Sequence, residues 1–463
     1  MKEKGIINSN GETFELNTLS GTPIRGLCGA TLAFFAGFAA VSLFAPSVLL
    51  FKNSMGLTPV MVGLLGSMPI LSGSLLRIPF SAMADSNGGR KPILILLFLS
   101  LIGMLGLFIL MHMYYPGNMS IDLYPILLIL GLLCGCGVAI FSSGITQTSY
   151  WFPQKKQGYA LGIFAGVGNL SPGIFGFLFP IAFVSLGLSG TYLSWLIFLF
   201  LSTILYLLIG KNAWYFQLIE KGNDAETAKY MAHTHYKQEI FPKGNTITSL
   251  LLSGKNSKTW LLLVIYFTTF GGFLAMAVWL PTYWVMFHEL TLKTAVWLAA
   301  IFAIIASLTR VIGGKISDKF SAYSIVVISL LLMLIGTFGM AMSHEMVIDI
   351  VALVLMAIGM GIANAAVFKL VPQEIPDAIG GATGWIGGLG AIGGFIIINI
   401  MTLFVKTNEV RDAGYAYGFS VFGVLILFSL IAVAILKRRQ IIIYFTPFLN
   451  KWVMVYRSYF DSE

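Results

Sequence analysis

Twelve apolar runs of about 20 residues or more recur along this chain, and that many in one sequence leave a single class of fold open. In hydrocarbon a backbone must satisfy its own N–H and C=O groups, so each run is a helix that crosses a bilayer. The runs fall at 26–51, 58–84, 92–114, 122–150, 157–187, 190–210, 259–286, 292–316, 323–344, 347–371, 379–405 and 413–436. Only 10% of the residues are charged and 57% are hydrophobic. A soluble domain of this length carries roughly a quarter charged residues, so lipid must cover the rest of the surface. Fifty glycines fit the close helix packing that bilayers favour.

A polar stretch from Lys211 to Lys258 divides the runs six and six. The expected architecture is an all-α membrane protein with twelve transmembrane helices in two six-helix bundles, 26–210 and 259–437. A segment 1–25, a central loop 211–258 and a tail 438–463 are expected on the cytoplasmic side. The first 25 residues lack an apolar core before a small-residue cleavage site, so no cleaved signal peptide is expected.

Basic residues set the orientation. With both termini cytoplasmic, the cytoplasmic segments hold 22 of the 28 Lys and Arg, and the external loops hold Lys52, Lys293, Lys406 and Arg411. The formal charge of +9 is thereby explained without a nucleic-acid partner. Two arginines remain, Arg77 and Arg310, and both fall inside apolar runs.

Each of the two lies eight residues before an aspartate at a cytoplasmic helix end, Asp85 and Asp318. Eight residues of helix place each about 12 Å inside the membrane, near its midplane. Helices two and eight correspond in the two halves, so this is an internal repeat that makes the bundles pseudo-symmetric. Repeat-built transporters hold their substrate on the axis between halves. A buried arginine needs a partner, and every Asp and Glu lies in a loop or at a helix end. Backbone carbonyls and water are one solution. The other is a substrate anion, because a guanidinium fork donates two parallel hydrogen bonds to a small planar oxyanion.

Helices five and eleven carry a second repeat. Gly162, Gly166 and Gly168 match Gly384, Gly388 and Gly390 at a constant offset. Gly158, Gly162, Gly166, Asn169, Gly173 and Gly176 share one helical face. Tight packing accounts for such a face by itself. It also lets Gly162, Gly166, Gly384 and Gly388 serve as surfaces on which helices slide, while Gly168 and Gly390 let backbone approach a ligand. Asn169 is the polar side chain on that face and can donate to an oxygen.

At these residues the chain resembles the nitrate/nitrite porters of the major facilitator superfamily, through SGSLLRIPFS, FPQKKQGYALGIFAGVGNLSPG, ASLTRVIGGKISD and GGLGAIGGF. The resemblance covers nearly all of the membrane region. It implies the major facilitator fold, alternating access and an arginine clamp that holds nitrate or nitrite between aromatic rings. By motif those rings are Phe141, Tyr266 and Phe270, which composition alone would assign to the core. It also implies cytoplasmic latches at Asp85, Arg90, Lys91, Asp318 and Lys319. The stretch KLVPQEIPDAIGG before helix eleven is similar to assimilatory-type members.

Other classes lack their chemistry. Of the histidines, His233 and His235 lie in the central loop and His112, His288 and His344 at external helix ends, so no catalytic cluster forms in the bundle. Cys28, Cys134 and Cys136 have no His or acidic neighbour at ligand spacing. No enzyme activity, metal or cofactor is expected, and the expected state is a monomer in lipid. With arginines that cannot titrate at the site, anion exchange is favoured over proton symport, and a carrier for another small anion is the remaining alternative.

Overall fold

The computed structural model describes residues 6–7, 13–14 and 19–438, apart from 58, 243, 244, 344 and 408–410. Most of the predicted segment 1–25 and the tail 439–463 lie outside the described residues, as does the expectation that tail residues 440–463 lie in the membrane interface. Near the start, Ile6–Ile7 pairs antiparallel with Thr13–Phe14.

Helix follows. In chain order come α1 (Pro23–Ser42), α2 (Phe44–Met55), α3 (Pro59–Leu75), α4 (Arg77–Asn87), α5 (Arg90–Tyr114), α6 (Tyr124–Trp151) and α7 (Gln157–Ile209). The linker carries α8 (Trp214–Glu220), α9 (Ala225–Tyr236) and α10 (Thr246–Lys255). The second half has α11 (Ser257–Tyr266), a π-turn Phe267–Gly271, α12 (Gly272–Met286), α13 (Leu292–Lys319), α14 (Ala322–Met342), α15 (Met346–Glu374), α16 (Ile379–Thr407) and α17 (Arg411–Tyr417). A last apolar stretch runs through Gly414–Arg438.

Among the described residues, ten helical stretches are long and apolar enough to cross a membrane. One of them, Gln154–Ile209, breaks at Gly187, whose φ of 67° only glycine adopts without strain, and so contains two crossings. The second apolar run divides at Leu76 into α3 and α4, because Pro79 has no N–H to give the Leu75 carbonyl four residues back. Counted so, the crossings are the twelve that the apolar runs predict.

The central stretch differs from a plain polar loop. Asp224 caps α9 by accepting from the Thr227 amide at 3.0 Å, and the Thr227 hydroxyl together with that amide holds its carboxyl below the usual carboxylate range. Leu218, Ala228, Met231 and Ala232 make a small separate core. Asn245 caps α10 the same way, and α10 packs against both α4 and α16. The halves meet chiefly along two lines: α7 against α13, and α16 against α3 and α4. Arg77 and Arg310 sit on those lines.

Candidate functional site

Both arginines are buried, Arg77 at 1% exposure and Arg310 at 2%. Arg77 opens α4 at the proline break. Its Nη1 donates to the Gly387 carbonyl of the other half at 2.9 Å, and its Nη2 to Val138 at 3.4 Å. Arg310 Nη2 donates to the Tyr266 hydroxyl at 3.4 Å. The Nε of each is buried without a hydrogen-bond partner. Carbonyls therefore satisfy Arg77 in part, and each guanidinium keeps a donor.

The two cations share one ring. The Phe141 centroid lies 4.9 Å from the Arg77 Cζ and 5.1 Å from that of Arg310. Phe270 is also near both, at 5.3 and 5.6 Å. Desolvated cation–π contacts of this kind are worth about 2 kcal/mol each. Tyr266 and Phe270 stack at 4.9 Å and 8°, and Phe141 lies parallel to each within 15°. The π-turn begins at the residue after Tyr266 and contains Phe270. Such turns are frequent where a helix serves a site.

A fourth ring was not anticipated. Phe368 of α15 stands edge-on to Phe141 at 5.2 Å and to Tyr266 at 4.7 Å, and 5.9 Å from the Arg310 Cζ. A signal for it exists: Ala139-Ile140-Phe141 in the first half is matched by Ala366-Val367-Phe368 in the second. Phe368 is the repeat partner of Phe141.

The glycine faces seat the arginine helices. A Cβ on Gly162 would lie 3.0 Å from the Arg310 carbonyl, and one on Gly166 2.7 Å from that of Ser307. Across the molecule, a Cβ on Gly384 or Gly388 would lie 2.8 Å from the Ile78 or Ser74 carbonyl. Each arginine-bearing helix is thus packed by the glycine helix of the opposite half. Gly168 and Gly390 lie elsewhere: the first backs Phe34, the second the Tyr266 ring. They make room for aromatics of the box and its surround rather than lining it with backbone. Asn169 is buried with its Oδ1 lacking a hydrogen-bond partner.

At the helix ends on the side of the central linker the aspartates reach across. Asp85 accepts from the Gly380 amide at 3.0 Å and the Gly381 amide at 3.3 Å, at the start of α16. Tyr150 at 2.5 Å and Ser249 of α10 also donate to it. Asp318 accepts from the Gly158 and Tyr159 amides at 2.9 and 2.7 Å, at the start of α7. Carboxylates are favoured at helix N-termini, where free N–H groups gather. Each latch aspartate therefore caps the glycine helix of the other half.

The basic residues expected beside them act differently. The Arg90 guanidinium bonds the Leu207 carbonyl within its own half and its backbone amide donates to Asn212 of the linker, and Lys91 and Lys319 are exposed. The cation paired with Asp318 is Lys369 of α15, at 2.6 Å. Asp349 and Glu374 stand at helix ends as the sequence suggests, yet both are buried.

Two six-crossing halves, related by repeats and closing on a shared pair of buried cations, define a polytopic carrier of the alternating-access class. The profile of the Major Facilitator Superfamily matches residues 30–398. This chain belongs to that superfamily, whose members are transporters rather than enzymes. It is 28% identical over 401 residues to a probable nitrate transporter, NarT, of Staphylococcus epidermidis, covering 87% of this chain and 94% of that one. It is 30% identical over 399 residues to a probable nitrate/nitrite antiporter, NarK1, of Thermus thermophilus, covering 81% and 83%. Among solved structures, the fucose:proton symporter FucP of E. coli superposes with a TM-score of 0.64 at 14% identity, over 89% of this chain and 99% of that one. The proton:xylose symporter XylE gives 0.67 at 16%, over 88% and 94%. Those two likenesses concern the fold.

Proposed function

We propose that this protein moves nitrate or nitrite across a cell membrane by alternating access, with nitrate exchanged for nitrite. The observation that carries the proposal is the pair of buried guanidiniums from symmetry-related helices, held against one phenylalanine, each with a free Nε donor. The names given to the two curated relatives support the choice of anion. In this reading Arg77 and Arg310 grip the anion's oxygens, and Phe141, Tyr266, Phe270 and Phe368 exclude water and cover its faces. Asn169 adds a donor when the halves rock. The Asp85 and Asp318 caps hold the cytoplasmic side shut until the anion arrives.

Exchange follows from the cations. Two guanidiniums on one ring repel, and an anion between them removes the penalty of closing around both. Return without an anion is then the slow step. We further propose bundles 26–210 and 259–437, both termini in the cytoplasm, and a monomer in the plasma or inner membrane. Liposomes loaded with nitrite and given external nitrate should show fast uptake that is lost when the interior holds no transportable anion. Equal uptake into anion-free vesicles under an inward proton gradient would decide for symport instead.

A further inference from the structure

Far from the arginines, at the outer end of the seventh crossing, three side chains meet that the mechanism above does not use. His288 Nε2 lies 2.7 Å from Asp349 Oδ2, and the Tyr283 hydroxyl donates to the same oxygen at 2.8 Å. The hydroxyl also lies 3.3 Å from the imidazole. Asp349 and Tyr283 are fully buried, and Asp349 Oδ1 has no partner. His288 is the member nearest solvent, with 9% of its side chain exposed. Tyr283 lies in α12, His288 follows that helix, and Asp349 sits in the first turn of α15.

We propose that His288 and Asp349 form a proton-binding site that fastens the outer end of the seventh crossing to the tenth. A buried carboxylate is costly unless its oxygens are satisfied, and Asp349 has both its partners on Oδ2 and none on Oδ1. Protonation of the imidazole supplies the cation, and imidazole is the side chain that changes charge between about pH 5 and 8. The proton comes from outside water to a ring nitrogen of His288 and returns the same way. The ion pair is therefore present in acid and is lost as pH rises, leaving a neutral ring beside a buried anion. Among the described residues, the other titratable groups near these ends are Tyr283, already in the network, and the exposed Glu289 and Glu345. From the last crossing the neighbour is an uncharged ring, Phe419, 5.1 Å from Tyr283. The proton thus acts on α12, which runs inward from this cluster to the π-turn holding Phe270.

Trp284 makes the site readable, because its ring lies 5.0 Å from the His288 ring at 32°. An imidazolium quenches a neighbouring indole, so tryptophan emission of the purified full chain should fall reversibly on acidification. That step should vanish in His288→Gln and shrink in Trp284→Phe. The double variant His288→Gln/Asp349→Asn keeps uncharged hydrogen-bonding partners and serves if the single change misfolds. A titration that persists in folded His288→Gln or in the folded double variant overturns the proposal. In liposomes, nitrate–nitrite exchange should vary several-fold with external pH in the parent and be flat in the variant. This second measurement rests on the proposed anion function. If no nitrate flux occurs at any pH, the function fails while the emission titration still decides the proton site.

Discussion

A guanidinium offers a flat fork, and the fork of Arg77 already spans two halves by donating to Gly387 and Val138. A lysine there would keep the charge and lose the two-point geometry. Arg77→Lys and Arg310→Lys should each cost about 2–3 kcal/mol of anion contact, or roughly 30- to 150-fold in uptake, with expression unchanged. Near-normal flux in both would mean that charge alone suffices. These two positions were legible in the sequence because a cation inside an apolar run has few explanations. Phe368 was not, because a phenylalanine in an apolar run has many, and only the matched tripeptides give it away. Arg90 illustrates the opposite limit. Its motif marks a helix end, but whether the chain folds back to Leu207 or crosses to the other half depends on the packing of α7. His288 and Asp349 were visible only as separate helix ends. Their meeting depends on the path of Leu290 and its neighbours between crossings, which has no periodic signature.

At the scale of elements, the glycine helices have a task that spacing alone could state. Positions four apart share a face, so Gly158, Gly162 and Gly166 had to meet one neighbour, and that neighbour is α13. Gly168 is two residues on and turns to Phe34 instead. A leucine at Gly166 would drive into Ser307 and Val311, and one at Gly388 into Ser74 and Ile78. Gly166→Leu or Gly388→Leu should abolish exchange while nitrate binding, measured by equilibrium dialysis or calorimetry, survives within several-fold. Undiminished flux in both would reduce the faces to dispensable packing. The split of the second crossing at Leu76 belongs here too. Pro79 was plain in the sequence, yet the unbroken apolar run hid the division that puts Arg77 at the head of its own helix.

For the whole molecule, the proposed function has the two caps set the balance between open and closed. Losing the charge of Asp318 removes a charge-assisted bond to two amides and to Lys369. Asp318→Asn should shift that balance by about 1–3 kcal/mol, roughly 5- to 150-fold, toward the form open on the side of the central linker. The check is labelling of Ser307→Cys, on a background without the three native cysteines, from the side of the central linker. Ser307 is buried against Gly166 here, so the rate should rise in the Asn variant, and an unchanged rate would remove Asp318 from the latch. The Asp85 cap has one more attachment, since Ser249 of the linker helix donates to Asp85 and accepts from the Gly381 amide. Cap and arginine ride on the same helix in each half, α4 at one interface and α13 at the other. Whatever free energy an anion spends to loosen a cap, a broken cap must return as altered affinity by the same factor. Latch variants should therefore bind nitrate with a changed Kd although they touch no part of the arginine box, and the ratio of the two constants reports how much of the binding energy the gate consumes.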